Sequence, residues 1–255
     1  MMLPLVALMM AAAPVSGTPP AHSVLAFNVL FDGADDGKSL DAIERAGADV
    51  VCLTELTPRF ARAFEKRFSE RYPHRVFESK KGTWGVGIAS RYPLSAARVF
   101  AQKPHRIPAM EARVGFPERR AMLACLHLFP PVGKHRKSDG FLETMEKNAK
   151  LRKEQAQFLG ARYAPEKGSV LLVGDLNEES SGQAVKTLED AGFARACAVK
   201  DQRCGPTFPG ATYFAPAIFE IDHVLGRGVT FESARVIREG GSDHFPVFAT
   251  FRLPH

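Results

Sequence analysis

The sequence has 255 residues, 45% of them hydrophobic and 24% charged. Those proportions exclude a collagen-like or disordered chain and leave room for one sizeable core that needs no metal staple. The formal charge of +6 and the pI of about 9.2 favour a polyanionic partner, nucleic acid or an acidic lipid surface, but exclude no class of chemistry.

In chain order, the first segment is "MMLPLVALMMAAAPVSG", almost wholly apolar. It is too short to span a membrane with flanks, and Pro4 and Pro14 spoil it as a core helix. Small residues at Ala11, Ala13, Ser16 and Gly17 fit a signal-peptidase region, so residues 1–21 are expected to be a signal peptide of a secreted or periplasmic protein. The lack of Lys or Arg ahead of the apolar stretch leaves a disordered N-terminal extension as the other reading. Residues 22–255 contain no repeat or low-complexity linker and are expected to form a single domain.

Short, β-branched apolar runs at 23–30, 48–54, 74–78, 85–90, 96–100, 110–116, 120–129, 169–174, 218–225, 229–237 and 245–253 predict strands. Helical spacing predicts helices over 39–46 with Ser39 as N-cap, 58–70 with Pro58 in the first turn, 141–163, and 181–191 ending at Gly192. Many strands with few interposed helices fit an α/β (α+β) arrangement of two packed sheets flanked by helices, with 74–129 as successive antiparallel strands. Cys197 and Cys204 flank a short polar loop and are placed to close a local disulfide. Cys52 and Cys125 lie inside apolar runs and are expected as buried thiols. The absence of a Cys-x-x-Cys pair argues against a zinc or thioredoxin-type site.

The chemistry is carried by polar residues that end or interrupt these runs: Asn28 in "VLAFNVL", Glu55 in "DVVCLTE", His127 in "ACLHLF", Asp175 and Asn177 in "VGDLN", Asp222 in "FEIDHVL", and Asp243 and His244 in "SDHFPV". Each alone has an ordinary structural explanation as a turn former, cap or buried hydrogen-bonding group. Together, at strand ends that converge on one rim, they form an oxygen-rich set suited to a hard ion such as Mg²⁺ or Mn²⁺. On strand alternation His223 points away from Asp222 and is left out.

The ordered set "FNVL", "LTEL", "CLHL", "GDLN", "IDHVL" and "SDHFPV" resembles the endonuclease/exonuclease/phosphatase superfamily over residues 24–253, with "WGVGIASRYPL" as its Gly-rich strand. The resemblance implies a four-layer α/β/β/α sandwich of two mixed, mostly antiparallel sheets, like that of deoxyribonuclease I, and metal-dependent hydrolysis of phosphoesters. It implies Glu55 as the main Mg²⁺ or Mn²⁺ ligand, with Asn28 near the ion and Asp243 reaching it directly or through water. Asp175 would position or deprotonate the attacking water, and Asn177 would hold the phosphate or that water. Asp222 would orient His244, and the two histidines, His127 and His244, share the donor, base and acid roles. Arg152 and Gln155 match a structural pair ahead of "GDLN".

The substrate is less legible. Lys134 and Arg136, in "KHRK" close to the expected rim, are candidate substrate-binding residues, and a solvated loop is their alternative. The expected function is an exported, monomeric phosphodiesterase acting on DNA or RNA. The alternatives are a sphingomyelinase-like or other phospholipid or small-molecule phosphoesterase working at a lipid surface, and a non-catalytic binding protein of the same fold. The loop at 207–219, rich in aromatics and small residues, is expected to pack on the sandwich.

Overall fold

The computed structural model describes residues 21–32, 34–104, 107–132, 140–201, 204–213 and 215–254. Residues 1–20 of the expected signal peptide, and Lys134 and Arg136, lie outside them. In chain order the elements are β1 (His22–Asn28), α1 (Asp36–Ala46), β2 (Val50–Thr54), α2 (Pro58–Phe68), β3 (His74–Glu78), β4 (Val86–Ser90), β5 (Leu94–Ala101), β6 (Pro108–Gly115) and β7 (Arg120–His127). They continue with α3 (Phe141–Tyr163), β8 (Val170–Asp175), α4 (Gln183–Asp190), β9 (Ala194–Arg195), β10 (Asp222–Arg227), β11 (Thr230–Val236) and β12 (Val247–Arg252).

The strands form two six-stranded sheets, ordered β11-β12-β1-β2-β4-β3 and β5-β6-β7-β8-β10-β9. Each contains one parallel pair, β1–β2 and β7–β8, and every other pairing is antiparallel. A parallel pair needs a crossover, supplied by α1 in the first sheet and α3 in the second. The expected α/β/β/α sandwich is therefore the observed one.

Strand alternation divides the apolar residues into three cores. Val24, Ala26, Val50, Leu123, Leu171 and Val173 face the space between the sheets. Leu25, Phe27, Val51 and Leu53 face outward and are covered by Ile43 of α1 and by Phe60, Phe64 and Phe68 of α2. Ala124, Leu126 and Leu172 are covered by Ala156 and Leu159 of α3 and Leu188 of α4. The i, i+4, i+8 spacing of the three phenylalanines puts them on one helix face, and Thr57 caps that helix by accepting from the Phe60 N–H (3.2 Å).

Three sequence expectations need correction. Helix α1 starts at Asp36 with Asp35 as N-cap, not at Ser39. Ser39 is buried and its Oγ accepts instead from the Gly241 N–H (3.1 Å), tying the helix to the "GGSDH" turn. The strand expected over 218–225 begins at Asp222, because Phe219 is taken up in an isolated bridge to Phe208. Finally, Cys52 and Cys125 are not thiols: they form a disulfide between β2 and β7, one from each sheet. Closing that 73-residue separation stabilises the fold by about 4 kcal/mol on the chain-entropy model. The Cys197–Cys204 disulfide forms as expected.

Candidate active site

The inter-sheet rows do not stop at their last apolar residue. Two positions beyond Ala26, Cys125 and Val173, still facing inward, come Asn28, His127 and Asp175, and Asp222 enters the same layer two positions before Val224. The site is thus the open end of the inter-sheet core, where water can reach an otherwise apolar cleft. Register places Asn28 beside Thr54, His127 beside Asp175, and Asp175 beside Asp222. Asn28, Glu55, His127, Asp175, Asn177, Asp222 and His244 are all buried, and Asp243 is half-buried.

Asp175 Oδ2 is where these groups meet. Asn28 Nδ2 donates to it at 3.0 Å, His127 Nε2 lies at 3.5 Å and His244 Nε2 at 3.8 Å. Its other oxygen accepts from the Asn177 N–H (2.8 Å). Glu55 Oε1 accepts from Asn28 Nδ2 (3.3 Å) and is 4.0 Å from His127 Nε2, while Oε2 accepts from the Phe31 N–H (3.1 Å). His244 Nδ1 donates to Asp222 Oδ2 (2.8 Å), which fixes the tautomer and aims Nε2 at Asp175. His127 has no such anchor among the described residues, where its Nδ1 lacks a partner.

The backbone is bent to make this possible. Leu30, Glu55 and Asn177 follow strand ends with φ of 57°, 56° and 50°, a left-handed conformation costly for residues with a Cβ. Gly174 precedes Asp175 at φ 140°, and a Cβ there would lie 2.0 Å from the Leu126 carbonyl oxygen. In the "SDH" turn, a Cβ on Gly241 would lie 2.0 Å from the Asp35 carbonyl, so only glycine lets the turn pass α1. Ser242 then locks the turn to β1: its Oγ donates to the Asn28 carbonyl (2.6 Å) and accepts from the His244 N–H (3.1 Å).

Burial pushes the Asp243 carboxyl up, and Glu55, Asp175 and Asp222 push it further, against the opposing pull of His244. Burial would lower the His244 imidazole, but the carboxylates of Asp222, Asp175 and Asp243 outweigh it and raise it to about 10. A buried acid raised by three acidic neighbours marks an accumulation of negative charge, which suits a cation. Two sets of residues could hold one. Asp175, Asp222 and His244 bring their ligand atoms within 4.8 Å of one another. There the imidazole and Asp222 are already committed to each other, and a hard ion prefers oxygen. Glu55 and Asp243 offer carboxylate oxygens alone, the donor type of a hard cation, so the residues present fit Mg²⁺ or Mn²⁺. Asn28 presents its amide N–H groups to the carboxylates and gives its oxygen to the Leu30 N–H (3.1 Å), so as placed it orients Glu55 and Asp175.

The model of the Endonuclease/Exonuclease/phosphatase family matches residues 25–244. The chain belongs to that family. No match was found among curated proteins. Among solved structures, the chain is similar to an endonuclease/exonuclease/phosphatase from Beutenbergia cavernae, at 20% identity, covering 91% of this chain and 72% of that one with a TM-score of 0.69. It is also similar to D. rerio TDP2 complexed with single strand DNA product (18%, 91% and 99%, TM-score 0.62). A third likeness is to sphingomyelinase C from Streptomyces griseocarneus (19%, 91% and 99%, TM-score 0.64). At such identities these likenesses establish the fold; members of this family with a named activity hydrolyse phosphoesters.

All eight rim residues named from the sequence lie at this end of the sandwich, and seven are joined in one hydrogen-bonded or close-contact network. Asp243 touches it through Ser242 Oγ (3.4 Å). The Asn177 amide donates to the Leu128 carbonyl (3.0 Å), joining the ends of β7 and β8. His223, left out, indeed faces the other way: it is buried against the Glu178 carbonyl (2.8 Å), and burial pushes its imidazole down to about 4. Arg152 and Gln155 are structural, paired with Glu178 and with the Phe129 N–H. Sequence reasoning missed Ser242 and also Thr207, whose Oγ1 accepts from the Asp222 N–H (3.2 Å). It also missed Phe208, whose ring lies 5.1 Å from that of His244. The expectation that the 207–219 loop packs holds for Thr207 and Phe208, whereas Tyr213, Ile218 and Phe219 are exposed.

Proposed function

We propose that this protein is an exported, monomeric, divalent-metal-dependent phosphodiesterase that hydrolyses DNA or RNA. The observation that carries the hydrolase reading is the meeting of Asn28, His127 and His244 on a single oxygen of Asp175, beside Glu55. Mg²⁺ or Mn²⁺, held by Glu55 and Asp243, would supply Lewis-acid neutralisation of the phosphate charge. The remaining work belongs to the chain. Asp175, held by Asn28 and the Asn177 N–H, orients the attacking water and accepts its proton. His244, charged and anchored by Asp222, donates to a non-bridging oxygen as negative charge develops there. His127, whose Nε2 lies 3.5 Å from Asp175 Oδ2, protonates the leaving oxygen.

Nucleic acid is favoured as substrate by the charge of +6 and by Lys80 and Lys81, beside the segment that packs on Leu56. A phospholipid substrate is the second reading. Among the described residues, exposed large hydrophobics such as Phe31, Phe141, Leu142 and Tyr213 lie in loops or a helix start that adjoin the ends of the site-bearing strands. Export is supported by the apolar leader and by two disulfides, which persist in oxidising compartments.

The test is to incubate protein lacking residues 1–21 with plasmid DNA, RNA and sphingomyelin vesicles, each with Mg²⁺, Mn²⁺ or chelator. Cleavage of nucleic acid with metal alone is the expected result. Cleavage of the lipid alone replaces the nuclease reading by the second one, and no cleavage of any substrate overturns the enzyme. Expression of the full chain, with mass spectrometry of the N-terminus, tests export; an intact Met1 on mature protein contradicts it.

A further inference from the structure

The Cys52–Cys125 disulfide lies directly beneath the rim. In the first sheet Cys52 is in register with Ala26, and in the second Cys125 is in register with Val173. The next inward-facing layer, two residues further along the same four strands, is Asn28, Thr54, His127 and Asp175, with Glu55 adjoining Thr54. Every strand that carries one of Asn28, Glu55, His127 and Asp175 is thus an end of the disulfide or the immediate neighbour of one.

The contacts in that rim layer cross from sheet to sheet. Asn28 reaches Asp175 at 3.0 Å, and Glu55 lies 4.0 Å from His127. Their geometry therefore depends on how far apart the sheets stand. Face-packed sheets ordinarily stand about 10 Å apart. At the disulfide the two Cα atoms are 5.4 Å apart, about half that spacing, just below the reacting groups. Both cysteines are fully buried, and the other disulfide spans only seven positions within one stretch of chain. Among the described residues, Cys52–Cys125 is the one disulfide between the sheets, which the chain itself joins at the β4–β5 and β10–β11 connections.

We propose that Cys52 and Cys125 are positioning residues: their disulfide sets the sheet separation that brings Glu55 and Asn28 to His127 and Asp175. The inference rests on the hydrolase reading above for its consequence in turnover, and on geometry alone for its consequence in structure. Without the bond, the sheets relax towards ordinary spacing and the rim contacts lengthen. Reduction would have the same effect: a dithiol supplies two electrons and two protons, closes to its own cyclic disulfide, and leaves Cys52 and Cys125 as thiols.

The test compares wild type with Cys52→Ala/Cys125→Ala and with Cys52→Ala/Cys125→Val, which refills the sulfur volume. Cys197→Ala/Cys204→Ala removes the local disulfide as a control. Each is assayed well below its own Tm on bis(p-nitrophenyl) phosphate, and the inter-sheet variants are crystallised. The expected result is a kcat lowered about ten- to a hundredfold with KM little changed in the inter-sheet variants, a control like wild type, and a Glu55–His127 gap wider than 4.0 Å. A purely structural role would lower Tm alone. A folded inter-sheet variant that keeps wild-type kcat overturns the proposal. So does a variant crystal structure with the rim distances unchanged, even if the wild type hydrolyses nothing and the functional reading has failed by itself.

Discussion

On the outer face of the second sheet, Glu111 is ringed by donors. Arg162 reaches it at 2.8 and 2.9 Å, Tyr163 Oη donates at 2.6 Å, and Arg98 closes the ring. At the open end of the inner face, Asp175, Asp222 and Asp243 are ringed largely by one another, by Glu55 and by two imidazoles. Burial would raise the carboxyls of both Glu111 and Asp243. Around Glu111 the hydrogen bonds from Arg162, Tyr163 and Arg98 more than reverse that and hold it at about 2, whereas Asp243 stays raised. The Glu111 cluster is complete within the chain. The rim holds more negative charge than its own side chains neutralise, which is the electrostatic reason for reading it as a site that meets a cation and a phosphate.

Substitutions should affect the two clusters in opposite ways. The largest effect belongs to the rim: Glu55→Gln and His244→Ala should each lower kcat at least about a hundredfold while circular dichroism and Tm stay close to wild type. Retained turnover in either variant would remove the role assigned to that residue. Glu111→Gln should leave turnover alone and lower stability by about 2 kcal/mol in urea unfolding. The sign with pH follows from a folded pKa below the ordinary 4.5. The stabilisation by Glu111 is complete above that value and is lost as pH falls towards 2, so wild type and Glu111→Gln should converge in acid. Divergence there would contradict the cluster's account.

Asp243→Asn should raise the Tm of chelator-treated protein, by about 1 kcal/mol in stability, because it removes one of several crowded like charges. A lower Tm would show that the rim charges are compensated within the chain after all. The smallest effect is Arg98→Ala, at less than about 1 kcal/mol, since Arg98 is 66% exposed whereas Arg162 lies against Glu111 at 21%.

Much of the site was legible because strand alternation is a local rule. Asn28, His127, Asp175 and Asp222 break apolar rows at positions whose parity already faces the inter-sheet space, and the same rule turned His223 away. The "SDH" turn was legible from its glycines. The Cys52–Cys125 bond was not, because each cysteine sits in an apolar run like any buried residue and its partner belongs to the other sheet. Ser242 and Thr207 were hidden for a related reason: a small hydroxyl acquires its role from Asn28 or Asp222, brought from elsewhere in the fold. Ser39 reads as the cap of that helix, but its hydroxyl is taken by Gly241, 202 positions away, and Asp35 caps the helix instead.

The central claim is that the rim is a cation-requiring centre for phosphoester hydrolysis. Its most direct test is the rate of p-nitrophenol release from bis(p-nitrophenyl) phosphate as Mg²⁺ or Mn²⁺ is titrated into metal-stripped protein, wild type beside Glu55→Gln. Turnover in wild type should rise from baseline to saturation and stay near baseline in Glu55→Gln. Full turnover by wild type in chelator, or the same titration curve in Glu55→Gln, would contradict the account.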